Sequence, residues 1–524
     1  MSYLTRAAST LENPPQTEPL NERQVQNSAS GYSFAVDCWK RLDRFLILGS
    51  EGGSYYASEQ KLTIDNLKAV KECAEKDGLR VVNRILEISR GGRAPKNDPA
   101  LMALAYVAAK GDITARTSAL ANLPEIARIG THLFHFVAYV RQFRGWGRGL
   151  RRAVAAWYTE KEPERLAEQV VKYQQRDGWS HKDIFRLRHI KFKGQYQAIA
   201  KWVVKGEVTK TTPAIIKGHV KLQETTKALD AAKLIKDYGL VRESVPTELL
   251  KDPIVWAALL EKMPMTAVIR NLGNMSKSGL LSPLSEAAST VCERLTDADL
   301  LKKARVHPIQ ILIAACTYGA GRGMLGHGEW KVVPQVVDAL DDAFYLAFKN
   351  IEPTKKNFYL GIDVSGSMSS GSVAGTFLSP RTAAMAMAMV TARTESNYYM
   401  AGFQHKLIEI PVTAKTTLRD AIRITEGLPF GSTDCAAPIL DALEKKMNVD
   451  TFVIYTDSET WCGATHPVKA LQMYRQKTGI AAKLVVCGLV ANQFSIADPN
   501  DAGMLDVVGF DASTPQIISQ FALE

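Results

Sequence analysis

The sequence predicts two architectures in tandem: stacked helix pairs over residues 1–355, then strands alternating with helices around a parallel sheet over 356–524. Three observations carry this reading. Apolar residues recur at three- and four-residue spacing up to about residue 355, then gather in short runs rich in Val, Ile, Tyr and Phe. Charge changes sign at the same place. Residues 356–524 hold 13 Lys and Arg against 16 Asp and Glu, while the first 355 hold 52 against 38. Hydroxyl and carboxylate residues also cluster where the late apolar runs end.

Residues 1–20 are polar, lack an apolar signal core, and read as a flexible arm. Helical spacing follows in Val36–Leu48, Pro99–Lys110, His132–Gln142, Arg148–Tyr158 and Leu222–Asp237, with Gly-, Pro- and Asn-rich breaks between them. Almost no period-two alternation interrupts them. Many short helices without strands suggest an α-solenoid, with an irregular helical domain as the alternative, because no clean repeat is visible. The Gly-rich stretches at 49–56 and 319–328 lack the phosphate-loop pattern and read as loops.

The second part reads as strands NFYLGIDV, NYYMAGFQ, TFVIYTD and AKLVVCGLV, separated by four helical runs. In such a sheet, ligands bind beyond the carboxyl ends of the strands. The first strand ends in Asp363, Ser365 and Ser367. Thr433 lies on a loop between two helices, and Asp457 ends a further strand. Two carboxylates and three hydroxyls form an oxygen-only donor set suited to a hard cation such as Mg²⁺, unless the hydroxyls merely cap helices. No His or Lys in the motif activates a serine, which argues against a nucleophilic enzyme. A two-metal nuclease needs more bridging carboxylate than this set supplies.

Two basic clusters mark the first part. In RQFRGWGRGLRR, Arg144, Arg148 and Arg151 share a face if one helix runs through the glycines. The second holds Lys172, Arg176, His181, Lys182, Arg186 and His189, with Lys172 and Arg176 four apart on a predicted helix. Such residues contact successive phosphates of a nucleic acid, or simply solvate helix faces. Seven cysteines without CxxC spacing favour a reducing, cytoplasmic setting over a disulfide framework. No apolar stretch is long enough to span a membrane.

Asp363, Ser365, Ser367, Thr433 and Asp457, in this order on a Rossmann-like template, match the metal-ion-dependent adhesion site of von Willebrand factor A domains. With PLNERQ, RFLILGSEGGSYY, WGRGLRRAVAAWY, KYQQRDGWSHKD, RNLGNM, LLKKARVHPIQILIA, GIDVSGSM, GSTDC and IADPNDAGMLD, the chain resembles the Ro sixty-kilodalton autoantigen family, its bacterial members in particular. The resemblance implies a TROVE module of HEAT-like repeats closed into a ring whose ends the A domain joins. It implies an outer rim that binds Y RNA and a hole that takes single-stranded 3′ ends of misfolded noncoding RNA. It further implies a monomeric ribonucleoprotein scaffold in RNA quality control and stress survival, without catalysis. In some bacterial relatives the Y RNA tethers the exoribonuclease polynucleotide phosphorylase. The family's rim contacts fall on Lys172, Arg176 and His189, with His181, Lys182 and Arg186 in the same stretch. Arg148 and Arg151 are candidates for the hole. The metal motif matches at all five positions and implies Mg²⁺ or another divalent cation with an acidic protein ligand. The loop SSGSVAGTFLSP after it departs from relatives and leaves that ligand open. The alternative reading is a metal-dependent adhesion module in which RNA is incidental.

Overall fold

The computed structural model describes residues 14–49, 59–188, 192–323, 328–348, 351–374 and 376–524. Helices dominate as far as Pro334–Leu346. They begin where the sequence caps them: Asp37 accepts from the Lys40 N–H, Asp112 from Ala115, Ser285 from Ala288 and Asp297 from Leu300. Prolines open Asp98–Lys110, Pro163–Lys172, Pro253–Lys262 and Pro308–Gly319.

Packing is mostly between neighbours in sequence, as in a solenoid. Cys38–Leu48 lies on Glu59–Gly91, Asp98–Lys110 on Gly130–Phe143, Ala228–Tyr238 on Pro253–Lys262, and Pro308–Gly319 on Pro334–Leu346. One contact breaks that local order. His307 Nε2 lies 2.9 Å from the Arg93 carbonyl, and the Gln310 amide donates to the Pro95 carbonyl at 3.2 Å. Early and late helical segments therefore touch.

Three expectations are corrected here. Leu222–Asp237 is not one helix: Ala214–Gln223 ends before a break, and Ala228–Tyr238 follows. The helical half is not free of strands, because β1 (Gln24–Gln26), β2 (Tyr32–Ala35), β3 (Gln175–Arg176) and β4 (Trp179–Ser180) lie within it. The arm is not loose from residue 14 onward. Gln16 is fully buried, its amide donating to Asp434 Oδ1 at 2.8 Å and to the Thr465 carbonyl at 2.7 Å. The segment at 49–56 lies almost wholly outside the described residues, as does 324–327 of the second Gly-rich stretch.

The second half holds β5 (Asn357–Asp363), β6 (Asn397–Phe403), β7 (Leu407–Glu409), β8 (Thr451–Thr456), β9 (Lys483–Gly488), β10 (Phe494–Ser495) and β11 (Met504–Val508). The main sheet runs β11-β9-β8-β5-β6-β7, parallel except for the edge strand β7. Both faces are covered, which explains the near-continuous apolar runs. Helix Pro380–Thr394 is buried from Pro380 through Ala392. Helices Ala437–Glu444 and Pro467–Thr478 cover the opposite face. β10 leaves this sheet and pairs with β2, so the N-terminal segment adds two strands to the second half. One apolar core runs from Leu42 and Val70 through Phe344 to Leu360, Met385 and Val485 without a gap. The two halves thus share a core.

Candidate functional site

β5 is flanked by β6 on one side and β8 on the other, so the chain reverses its direction of winding at the β5–β8 crevice. Asp363 ends β5 and Asp457 follows β8, which places both carboxylates at that crevice. Three loops meet there. The Gly366 N–H donates to the Gly431 carbonyl at 3.1 Å, and the Trp461 and Cys462 N–H groups donate to the Thr433 carbonyl at 3.1 and 3.2 Å. Ser365 donates its N–H to Asp363 Oδ1 at 2.9 Å, and its hydroxyl lies 3.0 Å from that of Ser367. Thr456 donates its hydroxyl to Asp363 Oδ2 at 2.6 Å.

All five motif residues are buried. Burial and the neighbouring Asp457 push Asp363 up to about 7, and burial also raises Asp457. Glu459 rises to about 8 through burial and Asp457. The nearby guanidinium of Arg381 is spent on the Val364 and Leu428 carbonyls and props the loop backbone. Thr433 Oγ1 and Asp457 Oδ2 are buried without a partner. The residues therefore fit a hard cation: two buried carboxylates face each other with only the nearby Arg381 charge to offset them, and two oxygen donors stand unused.

Contacts around this site come from far along the chain. The Ser28 N–H donates to Glu459 Oε2 at 2.8 Å, and the Asn492 amide donates to the Asp457 carbonyl at 2.6 Å. Gln16 holds Asp434, the neighbour of Thr433. None of these was predicted. Gln16 and Ser28 reach residues more than 400 positions away, and no local pattern announces these contacts.

The basic surface is built differently from the expectation. Helix Gly130–Phe143 stops before Arg144, whose backbone is extended, and a new helix starts at Arg148. Arg144 is thus off the shared face, and its guanidinium donates to the Ala108 carbonyl at 3.2 Å. Arg148, Arg151 and Arg152 are exposed. Lys172 is half-buried at the end of helix Pro163–Lys172, with its ammonium 5.4 Å from the Tyr173 ring centre. Arg176 is not on that helix. It lies exposed on β3 of a hairpin whose turn, Asp177-Gly178, has φ of 51° and 74°.

His181 is corrected outright. It is 2% exposed, faces the Tyr158 hydroxyl at 2.8 Å, and packs among Phe134, Trp157 and Phe185. Burial lowers it to about 4, so it is a neutral core residue without access to a phosphate. Lys182 is half-buried and Arg186 exposed, while His189 lies outside the described residues. The fold joins the two clusters. The Arg141 guanidinium sits 5.2 Å from the Trp179 ring centre, and Trp146 meets Trp179 edge-on at 6.2 Å.

A helical array sharing its core with a von Willebrand-type domain, whose strand ends gather an oxygen donor set, defines the class of protein. Comparison with known proteins narrows it. Residues 25–234 and 232–318 match the TROVE domain, and 357–522 match the Ro60 vWA domain. RNA-binding protein RO60 of Deinococcus radiodurans is 44% identical across 100% of this chain and 99% of its own. RNA-binding protein RO60 of Caenorhabditis elegans is 36% identical across 97% and 91%. The crystal structure of the Deinococcus radiodurans RO (RSR) protein superposes with a TM-score of 0.70 and 43% identity, covering 93% of this chain and 99% of that one. The chain belongs to the Ro60 family. No helix among the described residues is long and apolar enough to cross a membrane.

Proposed function

We propose that this chain is an RNA-binding scaffold without catalysis of its own. The observation that carries it is the joined basic surface. Arg148, Arg151, Lys172 and Arg186 have no carboxylate partner among the described ion pairs, and Arg176 has only the 3.7 Å contact with Asp177. The relatives matched over their full length are named RNA-binding proteins. Cations without a close carboxylate partner are available to phosphates, and they hold RNA with a steep dependence on salt.

In this reading the helical array closes into a ring, a closure supported by the contacts of His307 and Gln310 with Arg93 and Pro95. The outer rim at Lys172, Arg176 and His189 takes a structured small RNA of the Y RNA type. The hole admits single-stranded 3′ ends of misfolded noncoding RNA, because a duplex is too wide. The ribonucleoprotein acts as a monomer in the cytoplasm, in RNA quality control and under stress, and brings an exoribonuclease such as polynucleotide phosphorylase to its RNA. Asp363, Ser365, Ser367, Thr433 and Asp457 would hold Mg²⁺. When bound, the cation supplies an open position for an anionic oxygen of a protein partner.

The test is a mobility shift across a salt series, with a duplex carrying a 3′ tail and the same duplex blunt. Tighter binding of the tailed RNA that survives Lys172→Glu/Arg176→Glu supports separate hole and rim sites. Equal binding of both RNAs, lost in the double variant, reduces the protein to one RNA-holding patch. Equally weak binding of both RNAs that the variant leaves unchanged favours the second reading, an adhesion module centred on the metal site. The unpartnered Thr433 and Asp457 oxygens support that reading.

A further inference from the structure

The early and late helical segments and the second half meet around a cavity of about 430 Å³. Pro95 and Lys96 come from the early segment. Arg270 and Ile313 come from helices Met265–Lys277 and Pro308–Gly319, and Thr376 from the loop after the metal motif. Tyr318 and Trp330 form an aromatic wall, and both rings are fixed. The Trp330 indole N–H donates to the Tyr318 carbonyl at 3.1 Å, and the two rings stack with centres 6.2 Å and planes 19° apart. The Tyr318 hydroxyl lies 2.8 Å from that of Ser276 and accepts the Val333 N–H at 3.2 Å. Gly273 lets its helix close on the indole, since a Cβ there would stand 2.8 Å from the ring. Tyr318 is buried, whereas Trp330 is only half-buried.

We propose that this cavity binds one unstacked nucleotide, with the base against Trp330 and the phosphate on Arg270. The volume lies in the range of small-molecule sites, and most of the lining is apolar. A fixed indole is a surface on which any base can stack. The charge of the lining points to an anion: it includes Lys96 and Arg270 and no carboxylate among the described residues. Arg270 is exposed and makes no ion pair among them. A guanidinium matches the oxygens of a phosphate in a two-pronged contact. Gln310 and Thr317 add polar groups that can bond the edge of a base. The larger crevice of about 960 Å³ between the halves has the opposite character. Five Asp and Glu line it against two Arg, a balance that repels phosphate.

The proposal deepens the RNA-binding reading and rests on it in one respect. The nucleotide is either a free nucleoside monophosphate or an unpaired residue of a bound strand, and the two share the chemistry of base and phosphate. The site also lies on the contact between early and late segments. The Gln310 amide that donates to the Pro95 carbonyl at 3.2 Å is part of its lining. A nucleotide seated there bridges the same segments, so occupancy should raise the thermal midpoint.

The test has two arms on the full chain. Calorimetry measures binding of adenosine 5′-monophosphate, adenosine and ribose 5-phosphate. A short single-stranded RNA carrying 5-iodouridine is crosslinked by light, and the attached peptide is read by mass spectrometry. The monophosphate should bind tightest of the three. Arg270→Gln should bring it down to the level of adenosine and leave adenosine unchanged. Trp330→Leu should weaken both by roughly 5- to 100-fold. The RNA should attach at Trp330 or Tyr318. Crosslinking that the monophosphate competes away supports both sources. Crosslinking without monophosphate binding supports a strand residue, and the converse supports a free nucleotide. Ala314→Phe, which fills the cavity, should abolish either signal. Should that variant or Trp330→Leu fail to fold, the exposed Arg270→Gln decides. Absence of both signals, or monophosphate binding that Arg270→Gln leaves unchanged, overturns the proposal. If the tailed duplex still shifts in the gel in that case, the RNA-binding reading stands and only the cavity site falls.

Discussion

The Arg44 guanidinium lies 2.7 Å from the Asp506 carboxylate, and the two side chains are only 1% and 3% exposed. Its other amino nitrogen donates to the Asn492 and Phe494 carbonyls at 2.9 Å each. One arginine on the first described helix thus satisfies groups at β10 and β11, more than 440 positions away. Removing it leaves a buried carboxylate without a counter-charge, so Arg44→Ala is expected to lose about 3–5 kcal/mol. Urea denaturation checks this. Arg44→Met/Asp506→Leu should recover part of the loss, because it removes the stranded charge as well.

Gly31 is a second point where the halves touch. A Cβ there would stand 2.0 Å from the Thr460 carbonyl oxygen and 2.8 Å from Trp461. Backbone cannot yield as a side chain does, so Gly31→Ala should cost about 1–3 kcal/mol. Limited proteolysis should then cut first between residues 14 and 36. Cleavage elsewhere would mean that the segment holds despite the clash.

His307 predicts an acid response. Its Nδ1 accepts the Ile309 N–H at 3.2 Å and its Nε2 donates to the Arg93 carbonyl, so the ring must be neutral to make both bonds. Burial lowers it from 6.5 to about 4. As pH falls below 6.5 the unfolded chain takes the proton first. Stability is therefore full above that pH and declines toward 4, at up to about 1.4 kcal/mol per pH unit for this group. His181 and His132, also lowered to about 4 by burial, add to the same decline. Denaturation at a series of pH values should show a smaller slope in His307→Gln.

His135 stands between Asp98 at Nδ1 and Asp177 at Nε2, the second at 3.4 Å. Asp177 is in the turn beside Arg176. His135→Ala should loosen the hairpin and weaken RNA binding by roughly 2- to 5-fold, about the worth of one partly exposed charge contact. His135→Gln, which can still bond Asp98 and fill the same space beside Asp177, should keep most of the affinity in the same mobility shift.

Thr433→Val and Asp457→Asn should each abolish a rise in thermal midpoint on adding Mg²⁺. Without the ion, Asp457→Asn should be at least as stable as the unaltered chain, because Asp363 then faces no second carboxylate. A metal-free Asp457→Asn that melts earlier would count against repulsion between the two.

Much of the second half was legible because its signals are local. Asp363 and Asp457 follow apolar runs that can only be strands, and parallel strands carry their ligands at the carboxyl end. The short edge strand β7 and the end strand β11 escaped notice, since three and five residues at a sheet margin carry little apolar pattern. The basic surface misled at Arg144 and Arg176, where a helix ends, and at His181. Helical spacing from Lys172 to Arg176 assumed that the helix continues, yet it stops at Lys172 and a hairpin turns the chain. His181 is basic by type but sits on the apolar side of its helix, and single-sequence charge counting does not register that side.

By itself the sequence determined the two architectures, the strand-end donor set and the basic first half. Periodicity, turn residues and charge are properties of neighbouring residues. Only the tertiary structure decided that Gln16 and Ser28 brace the donor loops, that His181 belongs to the core, and that early and late helical segments touch at Arg93 and His307. Those contacts join residues brought together by burial of a shared core. A chain read in order carries no mark of which distant partner will satisfy a buried donor.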